Sequence, residues 1–213
     1  MGETIRKAAA VIAARDGREG VEVLVLERSA ESRFLPGYVA FPGGAADADD
    51  ARHAERWFGT AEETARACAV RELLEEVGLA LTADGLGEAS VRSVDALDGS
   101  PPGVDQLPEI AHWIAPQEVP VRFDARYYAV RSPGGLRPTP DGVEIAGAWW
   151  ASPRRLLGEW GEGRRKLWWP TYFTVRALAE CDTTEDLLAL HIRSREPDDD
   201  EVERLPRATF WQE

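Results

Sequence analysis

The stretch Arg71-Glu72-Leu73-Leu74-Glu75-Glu76-Val77-Gly78-Leu79, with Glu63 eight residues ahead of the arginine, decides how this chain is read. At about 100° per residue, Glu72, Glu75 and Glu76 fall within roughly a 100° arc of a helix, while Ala69, Val70, Leu73 and Val77 gather away from it. One face packs and the other gathers carboxylates. Like charges one turn apart weaken a helix by roughly 0.2–0.5 kcal/mol per pair, so a divalent cation is the natural guest. Hard oxygen ligands suit Mg²⁺ or Mn²⁺ better than zinc. A solvated acidic face fits the same spacing, and the helix alone does not separate the two readings.

The wider pattern does. Phe41-Pro42-Gly43-Gly44 precedes Glu63, seven residues follow, and then comes Arg-Glu-Leu-x-Glu-Glu-x-Gly-Leu. This resembles the signature of the Nudix hydrolases, G-x5-E-x7-R-E-U-x-E-E-x-G-U, filled at every position from Glu63 onward. The resemblance implies an α/β/α sandwich with a mixed β-sheet and Mg²⁺ (or Mn²⁺) on Glu72, Glu75 and Glu76. Arg71 would orient the glutamates, and Glu63 would stand just before the helix beside the metal. With five residues between it and Gly44 the family's first acid is due at position 50, whereas Glu63 lies 13 places later (63 − 50). That displacement reads as an insertion over residues 45–59. Thr60-x-x-Glu63 has the form of a capping box, Thr64 is the competing N-cap favoured by the resemblance, and Gly78 ends the helix as a C′ glycine.

A second resemblance narrows the branch. Arg28, Ser29, Arg33, Gly37, Val39, residues 41–44, Asp47 and Asp50 are similar to the motif preceding the Nudix box in coenzyme A diphosphatases. Pro120-Val-Arg-Phe-Asp-Ala-Arg-Tyr-Tyr, then Glu144 and Trp150-Ala-Ser-Pro153, look like the peroxisomal acyl-CoA diphosphatases and their bacterial relatives. The resemblance implies substrate phosphates held by Arg28 and Arg33 beside Gly43 and Gly44. The serine and threonine that this motif places before the helix have no clean counterparts here. ADP-ribose or a dinucleotide such as NADH is therefore the alternative substrate. A nucleotide-sensing module without turnover is a third reading, opposed by the intact Arg71, Glu72, Glu75 and Glu76. The general base stays open among Glu109, Glu118, Asp141 and Glu144. Glu144 is preferred because it precedes the Trp-x-Ser-Pro landmark, although a strand-end salt bridge explains it equally well.

The chain has 213 residues and a net charge of −13, which suits one domain with a substantial core. We expect residues 1–195 to form it and residues 196–213 to be an acidic tail, with Asp198-Asp-Asp-Glu201 a solvated charge run. The acidic balance disfavours nucleic acid, whose affinity rests on many phosphates meeting Lys and Arg. A small anion can still bind where a metal and a few arginines reverse the local field. No apolar run reaches membrane-spanning length and no secretory layout opens the chain, so the expected setting is cytoplasmic and membrane-free, with a homodimer open. Cys68 and Cys181 read as buried thiols, and His53, His112 and His191 have no metal-ligand spacing. Trp57 and Phe58 could cover the site, meet a second subunit or simply be buried. The Trp149-Trp150 and Trp168-Trp169 pairs read as core or interface mass, with adenine stacking open.

Composition predicts strands over residues 5–14 and 21–27 around an Asp16-Gly17 turn, a short strand over 38–41, and candidates at 90–95, 111–116 and 119–130. Residues 144–150 suit a strand or helix entry, and Ser152-Pro153 an N-cap and N1 pair. Helices are expected from Trp169 or Pro170 to Cys181 and from Thr184 to Ile192.

Overall fold

The computed structural model describes residues 5–115 and 122–193. The expected acidic tail, Glu118 and the start of the 119–130 strand lie outside these. In chain order the elements are β1 (Arg6–Gly17), β2 (Gly20–Arg28), β3 (Tyr38–Ala40), β4 (Gly43–Ala45), α1 (Asp50–Phe58), α2 (Thr64–Val77), β5 (Leu79–Thr82), β6 (Gly85–Glu88), β7 (Glu109–Ile114), β8 (Phe123–Arg131), β9 (Ile145–Ala151), α3 (Pro153–Gly161), β10 (Lys166–Leu167), α4 (Trp169–Leu178) and α5 (Thr184–Leu188).

Every residue from Ala8 to Ala14 of β1 is buried, the mark of a central strand covered on both faces. Side chains alternate across a strand, and β1 shows it. Ala9, Val11 and Ala13 pack with Leu73, Leu74 and Val77 of α2, whereas Ala10, Ile12 and Ala14 pack with Leu156 of α3, Phe173 of α4 and Leu187 of α5. The result is an α/β/α sandwich. The main sheet runs β10-β3-β2-β1-β8-β7, with β4 and β9 attached to β1 and β2. It is mixed, since β1 and β8 are parallel while β1 with β2 and β7 with β8 are antiparallel.

One irregularity creates the cleft. β1 pairs with β2 only at its far end, from Ala14 opposite Val23 to Gly17 opposite Gly20. The near half of β1 pairs instead with β4, where Ala9 lies opposite Gly44 and Ala10 opposite Gly43. The two long strands therefore diverge. The short 43–45 segment fills the gap and lies directly beneath α2.

Several expectations shift. Residues 90–95 form no strand; a 3₁₀ turn spans Val94–Gly99, and the extended segments after Gly78 are the β5–β6 hairpin. The helix expected to reach Ile192 stops at Leu188, because Ile192 donates its N–H to the Ile110 carbonyl at the sheet edge (2.7 Å). The segment read as an insertion folds mostly as α1. Trp57 is buried against α2, its Nε1 donating to Asp98 (2.8 Å), so it anchors α1 and does not line the main cleft.

Candidate active site

Helix α2 brings the acidic cluster to β4. It docks through Ala67, Val70, Leu73, Leu74 and Val77, all buried, each large apolar side chain contributing about 1.5–3 kcal/mol. Gly78 ends it in the left-handed region (φ 66°), donating its N–H to the Leu74 carbonyl at 3.0 Å. Thr64 is the first helical residue and its hydroxyl donates to the Ala61 carbonyl at 2.6 Å. Glu63 is the N-cap residue, without a side-chain cap bond. The Thr60 hydroxyl accepts from the Glu62 N–H (3.2 Å), so the Thr60–Glu63 capping box does not form.

Arg71 is the hub. Its Nε donates to Asp50 Oδ1 at 2.8 Å, Nη2 to Asp50 Oδ2 at 3.0 Å, and Nη1 to Glu72 Oε1 and Glu75 Oε2 at 2.9 Å each. Burial works against the guanidinium charge, but the Asp50 hydrogen bonds and the Glu72 charge overcome it, and the Arg71 pKa is raised. Asp50 is fully buried. Its Oδ2 also accepts the Asp47 N–H at 2.9 Å.

Glu63 has another place. Its carboxylate pairs with Arg66, whose Nε donates to the Leu107 carbonyl (3.1 Å) and whose guanidinium lies over the Tyr128 ring. Glu63 does not line the cleft. The upstream acid on Arg71 is Asp50, with five residues between it and Gly44, where the signature's first glutamate was due. The G-x5-acid spacing carries that signal, in an aspartate one methylene shorter than the glutamate of the signature.

Glu76 is buried, and its Oε2 accepts the Gly43 N–H at 2.8 Å. Burial and then the neighbouring Glu72 charge push its pKa up to about 8, against the Gly43 bond and the Arg28 charge. Burial likewise raises Glu72, against the pull of Arg71. A buried carboxyl whose ionisation is suppressed by a half-buried carboxylate neighbour forms with it an oxygen-only donor pair of the kind that hard divalent cations take. Gly44 is required here, since a β-carbon would lie 2.3 Å from Glu72 Oε1. Glu75 is more exposed and lines a second, polar cavity with Asp47, Arg52 and His53. Thus Glu72 and Glu76 share the main cleft, while Glu75 stands on the other side of Arg71.

That cleft, about 610 Å³, is lined by Glu72, Glu76, Glu144, Arg28, Arg33, Gly43 and Gly44, with an aromatic wall that includes Phe34, Tyr38, Trp113, Phe123 and Trp168. The last turn of α2 holds the Glu144 loop, because the Asp141 N–H donates to the Glu76 carbonyl (3.0 Å) and the Thr139 N–H to that of Val77 (2.8 Å). Asp141 Oδ1 in turn accepts the N–H groups of Val143, Glu144 and Ile145 at 2.9, 3.1 and 3.0 Å. From the other side, Ser29 N–H (2.7 Å) and the Ser32 hydroxyl (3.2 Å) donate to the Glu144 carbonyl. The backbone is clamped, yet the Glu144 carboxylate has no hydrogen bond or ion pair among the described residues. Of the other base candidates, Glu109 is paired with Arg126 (2.6 Å).

The NUDIX domain family matches residues 4–168. A NUDIX hydrolase from Alicyclobacillus acidocaldarius is 30% identical and superposes with a TM-score of 0.76 over 92% of this chain and 100% of its own. The chain belongs to the Nudix hydrolases. RenU, a Nudix hydrolase from M. smegmatis (17% identity, TM-score 0.52, 88% of this chain and 90% of its own), shares the fold. So does DR0079 from Deinococcus radiodurans (18%, 0.51, 81% and 82%). No curated protein matches the chain. Nudix hydrolases generally use divalent cations such as Mg²⁺, in keeping with the acidic pair found here. Among the described residues no helix is long and apolar enough to cross a membrane.

Proposed function

We propose that this Nudix hydrolase cleaves the diphosphate of coenzyme A or an acyl-CoA by attack of water, releasing adenosine 3′,5′-bisphosphate and a 4′-phosphopantetheine. The observation that carries this reading is the make-up of the cleft. One side bears the Glu72–Glu76 pair suited to a cation beside Arg28, and the other is an aromatic wall, with Arg33 next to Phe34, suited to a base or a long thioether arm.

Glu72 and Glu76 would hold Mg²⁺ or Mn²⁺, which when bound supplies charge neutralisation and a more acidic water, while Glu75, which lines the second cavity, would act through Arg71. Arg71, held by Asp50, keeps Glu72 and Glu75 in place through Nη1. Asp50 thereby takes the place beside the site that was expected of Glu63. Arg28 is fixed by donating Nε to the Phe34 carbonyl (2.8 Å) and lies close enough to Glu76 to favour its charged form. Its remaining N–H groups can meet substrate phosphate. The unpaired Glu144 carboxylate, on a clamped backbone, accepts the proton of the attacking water as general base.

The test is a Mg²⁺-dependent hydrolysis screen of coenzyme A, acyl-CoAs, ADP-ribose, NADH and nucleoside triphosphates with chromatographic product analysis. Coenzyme A or an acyl-CoA should have the highest kcat/KM, with the 3′-phosphate retained on the adenosine product. Faster cleavage of ADP-ribose or NADH, with AMP released, would remove the coenzyme A assignment.

A further inference from the structure

Another part of the cleft wall is built from Arg6, Arg33, Phe34 and Phe123. Phe34 and Phe123 meet edge to face, their centroids 5.5 Å apart, and the Arg6 guanidinium lies over the Phe123 ring, 5.7 Å from its centroid. Both arginines are exposed, and among the described residues neither has a carboxylate partner. Arg28 and Arg71, by contrast, are committed to protein oxygens.

The backbone under these side chains is fixed. Arg6 donates its N–H to the Arg122 carbonyl at 3.0 Å and pairs with Phe123 across β1 and β8. On the other side, Leu35 is a buried non-glycine residue at φ 50°, a conformation that costs about 1–3 kcal/mol and tends to occur at ligand sites. The Arg28 bond to the Phe34 carbonyl and a Tyr38 N–H bond to the Leu35 carbonyl (3.2 Å) hold that turn, presenting Arg33 and Phe34 to the cleft. Arg6 lies three positions before Ala9, which pairs with Gly44 against Glu72. At about 3.3 Å per residue this is a separation of roughly 10 Å, on the scale of one nucleoside. In a chain of net charge −13, two uncommitted guanidinia lining the cleft that also holds the acidic pair provide a local field for a second anion.

We propose that Arg6 and Arg33, on the Phe34–Phe123 edge, form a subsite for a phosphate monoester that is not cleaved, the 3′-phosphate on the ribose of the adenosine half. The guanidinia hold the phosphate oxygens and the neighbouring ring edges face the base. This assignment rests on the coenzyme A reading and adds the feature that separates coenzyme A from its dephospho form.

Calorimetric titration of adenosine 3′,5′-bisphosphate and AMP into the full-length protein with Mg²⁺ tests the subsite without turnover. The wild type should bind the bisphosphate about tenfold more tightly, as one charge-assisted phosphate contact gives, and Arg6→Ala or Arg6→Gln should bring the two ligands within about twofold. In hydrolysis, the ratio of kcat/KM for coenzyme A over dephospho-coenzyme A should fall about tenfold in the same variants. Equal binding of both ligands by the wild type, or equal weakening of both by Arg6→Ala, overturns the subsite. A wild type that prefers the bisphosphate but does not cleave coenzyme A upholds the subsite and removes the substrate assignment instead.

Discussion

Replacing Asp50 should damage both folding and turnover, whereas replacing Glu63 should do little to either, and the structure supplies the sizes. Asp50 is fully buried, with one oxygen on Arg71 Nε and the other shared by Arg71 Nη2 and the Asp47 N–H. Removing one partner of such a pair costs about 3–5 kcal/mol. Arg71 keeps Glu72 and Glu75 on Nη1, so Asp50→Ala belongs near the lower figure, about 3 kcal/mol. Asp50→Asn should be milder, because its amide oxygen can still accept one bond. Both variants free Arg71 to shift and take Glu72 with it, a supporting-shell loss worth about 10- to 100-fold in activity. Glu63 is half-buried and serves only Arg66, which has the Leu107 carbonyl and the Tyr128 ring as further partners. Glu63→Gln should cost about 1 kcal/mol or less and leave kcat within about threefold, since a pair this far from Arg71 adds nothing to the site. Urea unfolding followed by tryptophan fluorescence gives the stabilities, and kcat at saturating Mg²⁺ gives the activities. A large loss of kcat in Glu63→Gln with none in Asp50→Asn would refute the assignment of Arg71 to Asp50.

The two glycines of β4 should fail differently on alanine substitution. A β-carbon at Gly43 meets backbone atoms, the Ala9 carbonyl at 2.4 Å and Ala10 Cα at 2.6 Å, so Gly43→Ala should lower stability by about 1–3 kcal/mol in urea. At Gly44 it meets the Glu72 carboxylate, so Gly44→Ala should unfold at nearly the wild-type urea concentration while metal-dependent kcat collapses. Glu76, raised to about 8, gives a linkage with a definite sign. A carboxyl whose folded pKa exceeds its unfolded value binds more protons when folded. Its stability is therefore full below the unfolded value of 4.5 and is lost as pH rises through about 8. In EDTA the wild type should lose a few kcal/mol between pH 5 and pH 9, on the order of 1.4 kcal/mol for each tenfold difference in proton affinity, and Glu76→Gln should flatten that slope. An unchanged slope in Glu76→Gln would show that Glu76 is not the titrating group. Asp141→Ala should lower kcat about tenfold with KM little changed, as the Glu144 loop loses its three-fold acceptor, and Asp141→Asn should restore most of it, because an amide oxygen accepts the same N–H groups. Equal damage in both variants would point to the Asp141 charge and not to its hydrogen bonds.

Much of the molecule could be read along the chain because the relevant physics is periodic or local. The alternation in β1, the 3.6-residue spacing of α2, Gly78 at its end and the proline at N1 of α3 each depend on neighbours in sequence. The β5–β6 hairpin is hard to read from the chain because its strands are four residues each, and although burial alternates in both, Ala80, Gly85 and Gly87 give the alternation little polar–apolar contrast. The end of α5 was misplaced because Ile192 leaves the helix for a sheet edge some 80 residues away in sequence.

By itself the sequence determined the acidic helix, its packing face, the Gly-Gly approach and the resemblance to one hydrolase family, since all of these reside in fixed spacings. Only the tertiary structure decided which acid meets Arg71, that Glu75 turns away from the cleft shared by Glu72 and Glu76, and that Arg6 joins Arg33 on an aromatic wall. Those outcomes depend on α1 folding back under α2 and on β1 diverging from β2. Contacts of that kind are set by long-range packing, which spacing along the chain does not encode.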